Sequence, residues 1–425
     1  MLVLTVSIAG LSACGSSPGG SSRPAAAPNA VTDWASLIQP AIHSISAPRS
    51  PASSFLLHTM AQLAVYDAVV AIEGSYEPFH TVIAAPKGAD VRAAVATAAY
   101  RTTRGRAAPS QFASLDERYD AYMKDVPQSR AKTDGIEVGE TAAAGILALR
   151  ANDGYHNTVA YRCSANPPPA GEFQPNGGCG TEPADVVIAQ VTPFTFLNPA
   201  QFRPEGPDSF SSDRWAKDFN EVKAYGRVDS SVRTKEQTDV VYFWSEHPYV
   251  HWNRNLINLA AAKGLDVSDT ARFFAMVWTA GSDAAIAGFE AKYFYRTWRP
   301  RSAIPRAAED ANPQTDPDPA WTPLLTINHP EYPSAHAFAS TALTTAAAAF
   351  FGTDKVEWTI ITSKDAVPQL VQTTRTYTSL NALMADVDNA RVWAGLHYRN
   401  SMDEGGALGS EVANHVTKGY FRPRG

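Results

Sequence analysis

Six residues in the last third of the chain have the types and spacing of an oxyanion site. Lys292 and Arg299, in AKYFYRTWRPRSAI, are seven apart, so on a helix they project from one face, about 20° apart. Pro300 disfavours helical geometry at Arg299, so the helix is expected to end there and free that side chain to turn inward. Arginine offers a planar fork for two oxygens and lysine a mobile point charge. In HPEYPSAH, Pro333 halts preceding structure and Ser334 is a good N-cap. The helix from Ala335 onward then presents unpaired backbone N–H groups in its first turn, a ready anion site. His336 in that turn can move a proton near neutrality. Arg391 and His397, in NARVWAGLHYRNSMDEGG, are six apart, about 120° round a helix. They share a ligand only if it lies against the helix flank or the helix ends between them, and Gly395 supplies such an ending. His397 would serve as nucleophile or ligand through one nitrogen once something fixes the other. Each pair alone also fits a structural role: a solvated basic face, a simple cap with a buried histidine, or a lone arginine and histidine.

The elements that must carry these residues are helices. A chain of 425 residues with 44% hydrophobic residues can bury a large core. Its formal net charge of -6 gives no global attraction to nucleic acid or anionic membrane, so any anion site must be a local concentration of cations. PASSFLLHTMAQLAVYDAVVAIEG, SDTARFFAMVWTAGSDAAIAGFEAKYFYRTW, AHAFASTALTTAAAAFF and EGGALGSEVANHVTKGYF have helical apolar spacing or length, with Gly and Pro at their ends. DVVIAQVTPF and EWTIIT are brief β-like runs, too few to build a sheet domain. The expected fold is all-α, packed as helical bundles. It is read as one domain over 34–425: a helical half over about 34–154, an irregular loop over about 155–210 that overhangs a site, and a catalytic half over about 211–425. In that loop, Cys163 and Cys179 flank a Pro- and Gly-rich stretch. In an exported protein they are expected to form a disulfide; the alternative is two free thiols.

Residues 1–33 read as an export signal followed by a Gly/Ser/Pro/Ala tether. Leu11-Ser12-Ala13-Cys14 resembles the lipobox of bacterial lipoproteins, which makes Cys14 a candidate lipidation site, although a basic segment ahead of the apolar run is missing. The expected location is the cell envelope or periplasm, with membrane contact only through that anchor.

Taken together, the order Lys292–Arg299-Pro300, Pro333-Ser334-x-His336 and Arg391–His397 resembles the three-part signature of the type-2 phosphatidic acid phosphatase and vanadium-dependent haloperoxidase superfamily. HWNRNLINLA, FEAKYFYRTWRPRSAI, DPAWTPL with HPEYPSAHA, and RVWAGLHYR look like its bacterial vanadium haloperoxidase branch. The resemblance spans roughly residues 35–421 and is sharpest over 247–403. It implies an all-helical fold with the vanadate or phosphoryl group in a four-helix-type core. Lys292, Arg299, Arg391, the Ser334 hydroxyl and the Ala335 N–H would hold oxygens, His397 would bind the vanadium, and His336 would be the acid–base residue. The implied activity is oxidation of halide by hydrogen peroxide. The alternatives are an exported acid phosphatase that acts on a phosphomonoester through a phosphohistidine at His397, and a non-catalytic anion-binding envelope lipoprotein.

Two departures from that pattern concern the chemistry. Ala335 stands where the family has glycine, and a positive φ there would be strained. Ser401 stands where the family has an aspartate that orients the histidine, with Asp403 or Glu404 as candidate substitutes. His329, seven before His336, occupies the position where histidine resembles the bromide-oxidising enzymes, so bromide or iodide is the expected halide; the alternative is a loop residue clear of the pocket. His247 and His251 have zinc-like spacing, but Pro248 interrupts it. Asp283 is a candidate partner for a site arginine, with a cap or surface role equally open. The aromatic residues around 241–252 and 293–298 are expected in the core.

Overall fold

The computed structural model describes residues 29–44, 46 and 48–424; Cys14 and its lipobox lie outside them. Fourteen α-helices are formed among the described residues: α1 (Ala30–Leu37), α2 (Gln39–Ile42), α3 (Pro51–Glu73), α4 (Val91–Arg104), α5 (Phe112–Lys124), α6 (Arg130–Leu149), α7 (Asp213–Tyr225), α8 (Lys235–Phe243), α9 (Pro248–Lys263), α10 (Val267–Tyr295), α11 (Pro300–Ala303), α12 (Ala335–Phe351), α13 (Leu380–Trp393) and α14 (Arg399–Gly419). Helix α1 starts inside the stretch read as a tether, where the Asn29 side chain accepts from the Val31 N–H and caps it.

Two central helices organise the molecule. α3 is long and apolar enough to cross a membrane, but 89% of its most apolar window is buried in the fold, so it serves as a core helix packed against α4, α6 and α10. α10 is capped at its start by Asp266, whose side chain accepts from the Asp269 N–H, and packs against α3, α12 and α14. Close approach of α12 to its neighbours requires glycine: a Cβ on Gly288 of α10 would meet Phe338 at 2.2 Å, and one on Gly409 of α14 would meet the Phe338 carbonyl oxygen at 2.3 Å.

EWTIIT supplies β1 (Trp358–Ile361), paired antiparallel with β2 (Thr374–Tyr377). The other β-like run is corrected: DVVIAQVTPF forms a 3-10 turn over Val186–Gln190. Its Val186 and Ile188 are buried, and the segment lies against α10 rather than beside a strand, so the apolar run is explained by tertiary packing. The region 155–210 is otherwise irregular apart from one more short 3-10 turn, Pro199–Phe202, and Cys163 and Cys179 form a disulfide within it.

Candidate functional site

The site is built from four chain segments that meet where α10, α12 and α13 end or begin. Lys292 lies in the last turn of α10. The helix ends earlier than the sequence suggested, at Tyr295, because Arg296 turns left-handed at φ 52. Pro300 still holds Arg299 extended, at φ -90 and ψ 158, so Arg299 enters the site from a short extended link. Arg391 comes from the last turn of α13. Gly395, at φ 77, breaks the chain direction after that helix, and His397 follows before α14 begins at Arg399. The 120° obstacle between Arg391 and His397 is removed by this helix ending.

The three cations are withdrawn from solvent, with relative exposures of 0% for Lys292, 5% for Arg299 and 3% for Arg391. Lys292 Nζ donates to the carbonyls of Pro330 (2.9 Å) and Glu331 (3.0 Å). Arg299 donates through Nε to the His329 carbonyl (2.6 Å) and through Nη1 to the Leu396 carbonyl (2.9 Å). Arg391 donates through Nη1 to the Trp244 carbonyl at 3.3 Å, and its Nε is buried with no partner among the described residues. Burial lowers all three pKa values, Lys292 well below its ordinary value, Arg299 to about 10 and Arg391 to about 9. At neutral pH both guanidiniums remain cationic. Ser334 precedes α12 but does not cap it with its side chain; its Oγ is buried and unpaired.

Glu331 is the residue that sequence reasoning missed. Its Oε1 lies 2.8 Å from His397 Nδ1 and accepts from the Tyr398 N–H at 3.1 Å. A carboxylate acceptor at Nδ1 places the ring hydrogen there and leaves Nε2 with its lone pair. Burial, reinforced by Arg299 and Lys292, holds the His397 pKa well below its ordinary value, so the neutral ring is the resting form. Burial raises Glu331 to about 7, with Arg299 and Lys292 opposing. Neither expected substitute does this work: Asp403 pairs with Arg214 at the surface, 3.0 Å away, and Glu404 lies on α14 beyond the first turn. Ser401 completes the arrangement, with its Oγ 3.3 Å from both the Glu331 carbonyl and His397 Nδ1. A carboxyl group amid the prolines of HPEYPSAH is the one sequence signal that pointed to Glu331.

His336, in the first turn of α12, is partly open and is kept neutral by burial first and by Arg391 second. Ala335 has no positive φ, so the feared strain does not arise and its N–H begins the helix normally. His329 does not stand clear of the pocket. It is buried, its Nδ1 faces Arg299 Nη2 at 2.9 Å, and it lines the same cavity of about 140 Å³ as His336. The same Nδ1 also lies 3.1 Å from the Pro330 carbonyl, so a donor and an acceptor compete for it.

The remaining sequence candidates separate from the site. Asp283 is buried on α10 and accepts from the N–H groups of Phe194 (2.6 Å) and Thr195 (3.0 Å) and from the Thr195 hydroxyl (2.5 Å); it ties down the irregular region and pairs with no site arginine. His247 stacks on His43 with ring centroids 3.6 Å apart, whereas His251 meets the Thr362 hydroxyl at 3.2 Å. Among the described residues no cluster of His, Cys, Asp and Glu could hold a metal ion by itself.

The arrangement fits a tetrahedral or trigonal oxyanion. Buried cations are costly unless a negative group compensates them, and none of the three forms a carboxylate salt bridge among the described residues. The Ser334 Oγ and Arg391 Nε, without partners among the described residues, are donors of the kind such a group would use, beside His397 Nε2, whose contact in the chain is Arg299 Nη1 at 3.4 Å.

Comparisons with known proteins agree with this geometry. Residues 272–423 match the family model of the VCPO second helical-bundle domain, a stretch that contains every site residue named above. No curated protein matches the chain. Among solved structures, a bacterial vanadium-dependent iodoperoxidase is similar at 20% identity and a TM-score of 0.74, covering 92% of this chain and 96% of that one. A holo-type bacterial vanadium-dependent chloroperoxidase is similar at 16% identity and a TM-score of 0.72, covering 93% of this chain and 98% of that one. Its apo-type counterpart gives 16% and 0.69, with 88% and 95% covered. The chain therefore has the all-α fold of the bacterial vanadium haloperoxidases, and its residues 272–423 match the VCPO second helical-bundle domain.

Proposed function

We propose that the protein is a vanadium-dependent haloperoxidase that oxidises bromide or iodide with hydrogen peroxide. The observation that carries this reading is the cluster of three buried basic side chains, Lys292, Arg299 and Arg391, none in a carboxylate salt bridge among the described residues, around His397. Lys292, Arg299 and Arg391 would neutralise the oxygens of vanadate, Ser334 Oγ and the Ala335 N–H would donate to them, and His397 Nε2 would bind the vanadium. Bound vanadate supplies a Lewis-acidic centre that activates hydrogen peroxide toward halide. His336, neutral at rest, accepts a proton from the incoming peroxide and returns it as water leaves. Glu331 keeps the His397 ring oriented and its Nδ1 hydrogen in place. His329 lines the cavity beside His336, where its polar ring would meet the halide.

The same residues would serve a phosphatase with His397 as nucleophile. The mouth of the site argues against it, because the cavity is walled chiefly by apolar side chains, a poor route for a dianionic phosphomonoester. The disulfide supports the reading of an exported protein, since such bonds persist in oxidising compartments.

The test is reconstitution with orthovanadate and an assay of peroxide-dependent iodide and bromide oxidation beside p-nitrophenyl phosphate hydrolysis. The expected outcome is oxidation that requires vanadate and vanishes in His397→Ala. Vanadate-inhibited hydrolysis with no halide oxidation would replace this reading with the phosphatase.

A further inference from the structure

The cavity of about 140 Å³ beside His329 and His336 is larger than peroxide and halide require. Its walls include Phe55 of α3, Trp252 of α9, Phe289 of α10 and Phe338 of α12. Ala285 of α10 and Ala339 of α12 also line it and leave room between the rings. A dry apolar cavity of about 150 Å³ is known to accept benzene, so this one suits a single six-membered ring.

One acidic group faces the same space. Asp185 lines the cavity, accepts a hydrogen bond from the Ser50 hydroxyl, and is only partly buried. Its backbone is left-handed at φ 63, a conformation aspartate adopts more readily than most non-glycine residues, at the start of the 3-10 turn Val186–Gln190. Burial raises its pKa to about 6, so near neutrality its carboxyl is an available acceptor. The cavity therefore has an acceptor, aromatic walls, and two site histidines among its lining residues.

We propose that this cavity binds the organic acceptor of the reaction, a single aromatic ring bearing a hydroxyl of the phenol class, whose O–H donates to Asp185. The assignment rests on the haloperoxidase reading. In the reaction a ring carbon–halogen bond forms as the carbon–hydrogen bond breaks. Halide loses two electrons, and hydrogen peroxide gains them to give two waters, taking up the ring proton and one from solvent. Holding the ring beside His329 and His336 directs the oxidised halogen to it before release.

The site is tested in the vanadate-free protein by calorimetric titration with phenol and with toluene. The expected result is saturable one-to-one binding of phenol, tighter than toluene. Ala339→Phe and Ala285→Leu, each checked for native circular dichroism, should weaken phenol at least tenfold by filling the space. Asp185→Ala should retain toluene and abolish the preference for phenol. No saturable phenol binding in the wild type, or undiminished binding in both filled variants, would overturn the site. Iodide oxidation with no organic acceptor present tests the underlying reading separately: its absence would overturn the acceptor role, whereas failure of phenol to bind overturns the site.

Discussion

Two regions of the molecule bury polar groups, and they do so in opposite ways. At the junction of α10 with the irregular region, Asp283 is surrounded by donors: the N–H groups of Phe194 and Thr195 and the Thr195 hydroxyl all reach it. Where the ends of α10 and α13 and the extended link at Arg299 meet, Lys292, Arg299 and Arg391 are equally buried, yet the Arg391 Nε and Ser334 Oγ have no partner among the described residues. Buried polar groups that are satisfied by the chain stabilise it, whereas groups left unsatisfied raise its energy until a ligand arrives. The difference separates scaffold from site without reference to any relative.

Mutations on each side break this contrast in opposite directions. The largest effect on stability is expected from Asp283→Ala, which strands three buried donors and should cost about 4 kcal/mol in denaturant unfolding. Its vanadate affinity, measured on the folded fraction, should be unchanged. Arg391→Met removes an uncompensated buried cation. Its unfolding free energy should hold or rise by about 1 kcal/mol, while equilibrium dialysis should show vanadate affinity reduced by about 100-fold. Glu331→Gln keeps the shape but removes the negative partner of His397, so vanadate affinity should fall about 30-fold with little change in fold. The smallest effect belongs to Ser334→Ala, with roughly tenfold weaker vanadate binding and no loss of thermal stability, since its hydroxyl has no partner among the described residues. A large destabilisation in Ser334→Ala would show instead that this hydroxyl belongs to the scaffold.

The two regions also differ in how far the sequence revealed them. The helical fold was legible because long apolar runs with Pro and Gly boundaries leave little choice of element, and AHAFASTALTTAAAAFF corresponds to α12 residue for residue. The convergence of the six candidate residues was legible because each motif keeps its partners within a short stretch that one helix or one helix end can bring together. Glu331 was hidden because its bond to His397 spans 66 positions, and no periodicity connects a loop carboxylate to a distant ring. The same reason hid the role of Asp283, whose partners are 88 and 89 residues away. DVVIAQVTPF misled because β-branched residues report burial as well as strand geometry. The early turn at Arg296 was invisible, since a left-handed arginine carries no sequence signature of its own.

The central claim is that three buried basic side chains await an oxyanion at His397, and melting of the vanadate-free protein with and without orthovanadate tests it most directly. Ligand at about 100 times its dissociation constant stabilises by about 2.7 kcal/mol, which for a chain of this size corresponds to a rise in melting temperature of several degrees. The account predicts that rise in the wild type and its absence in Arg391→Met. An unchanged melting temperature in the wild type at millimolar orthovanadate, or an equal rise in both proteins, would contradict it.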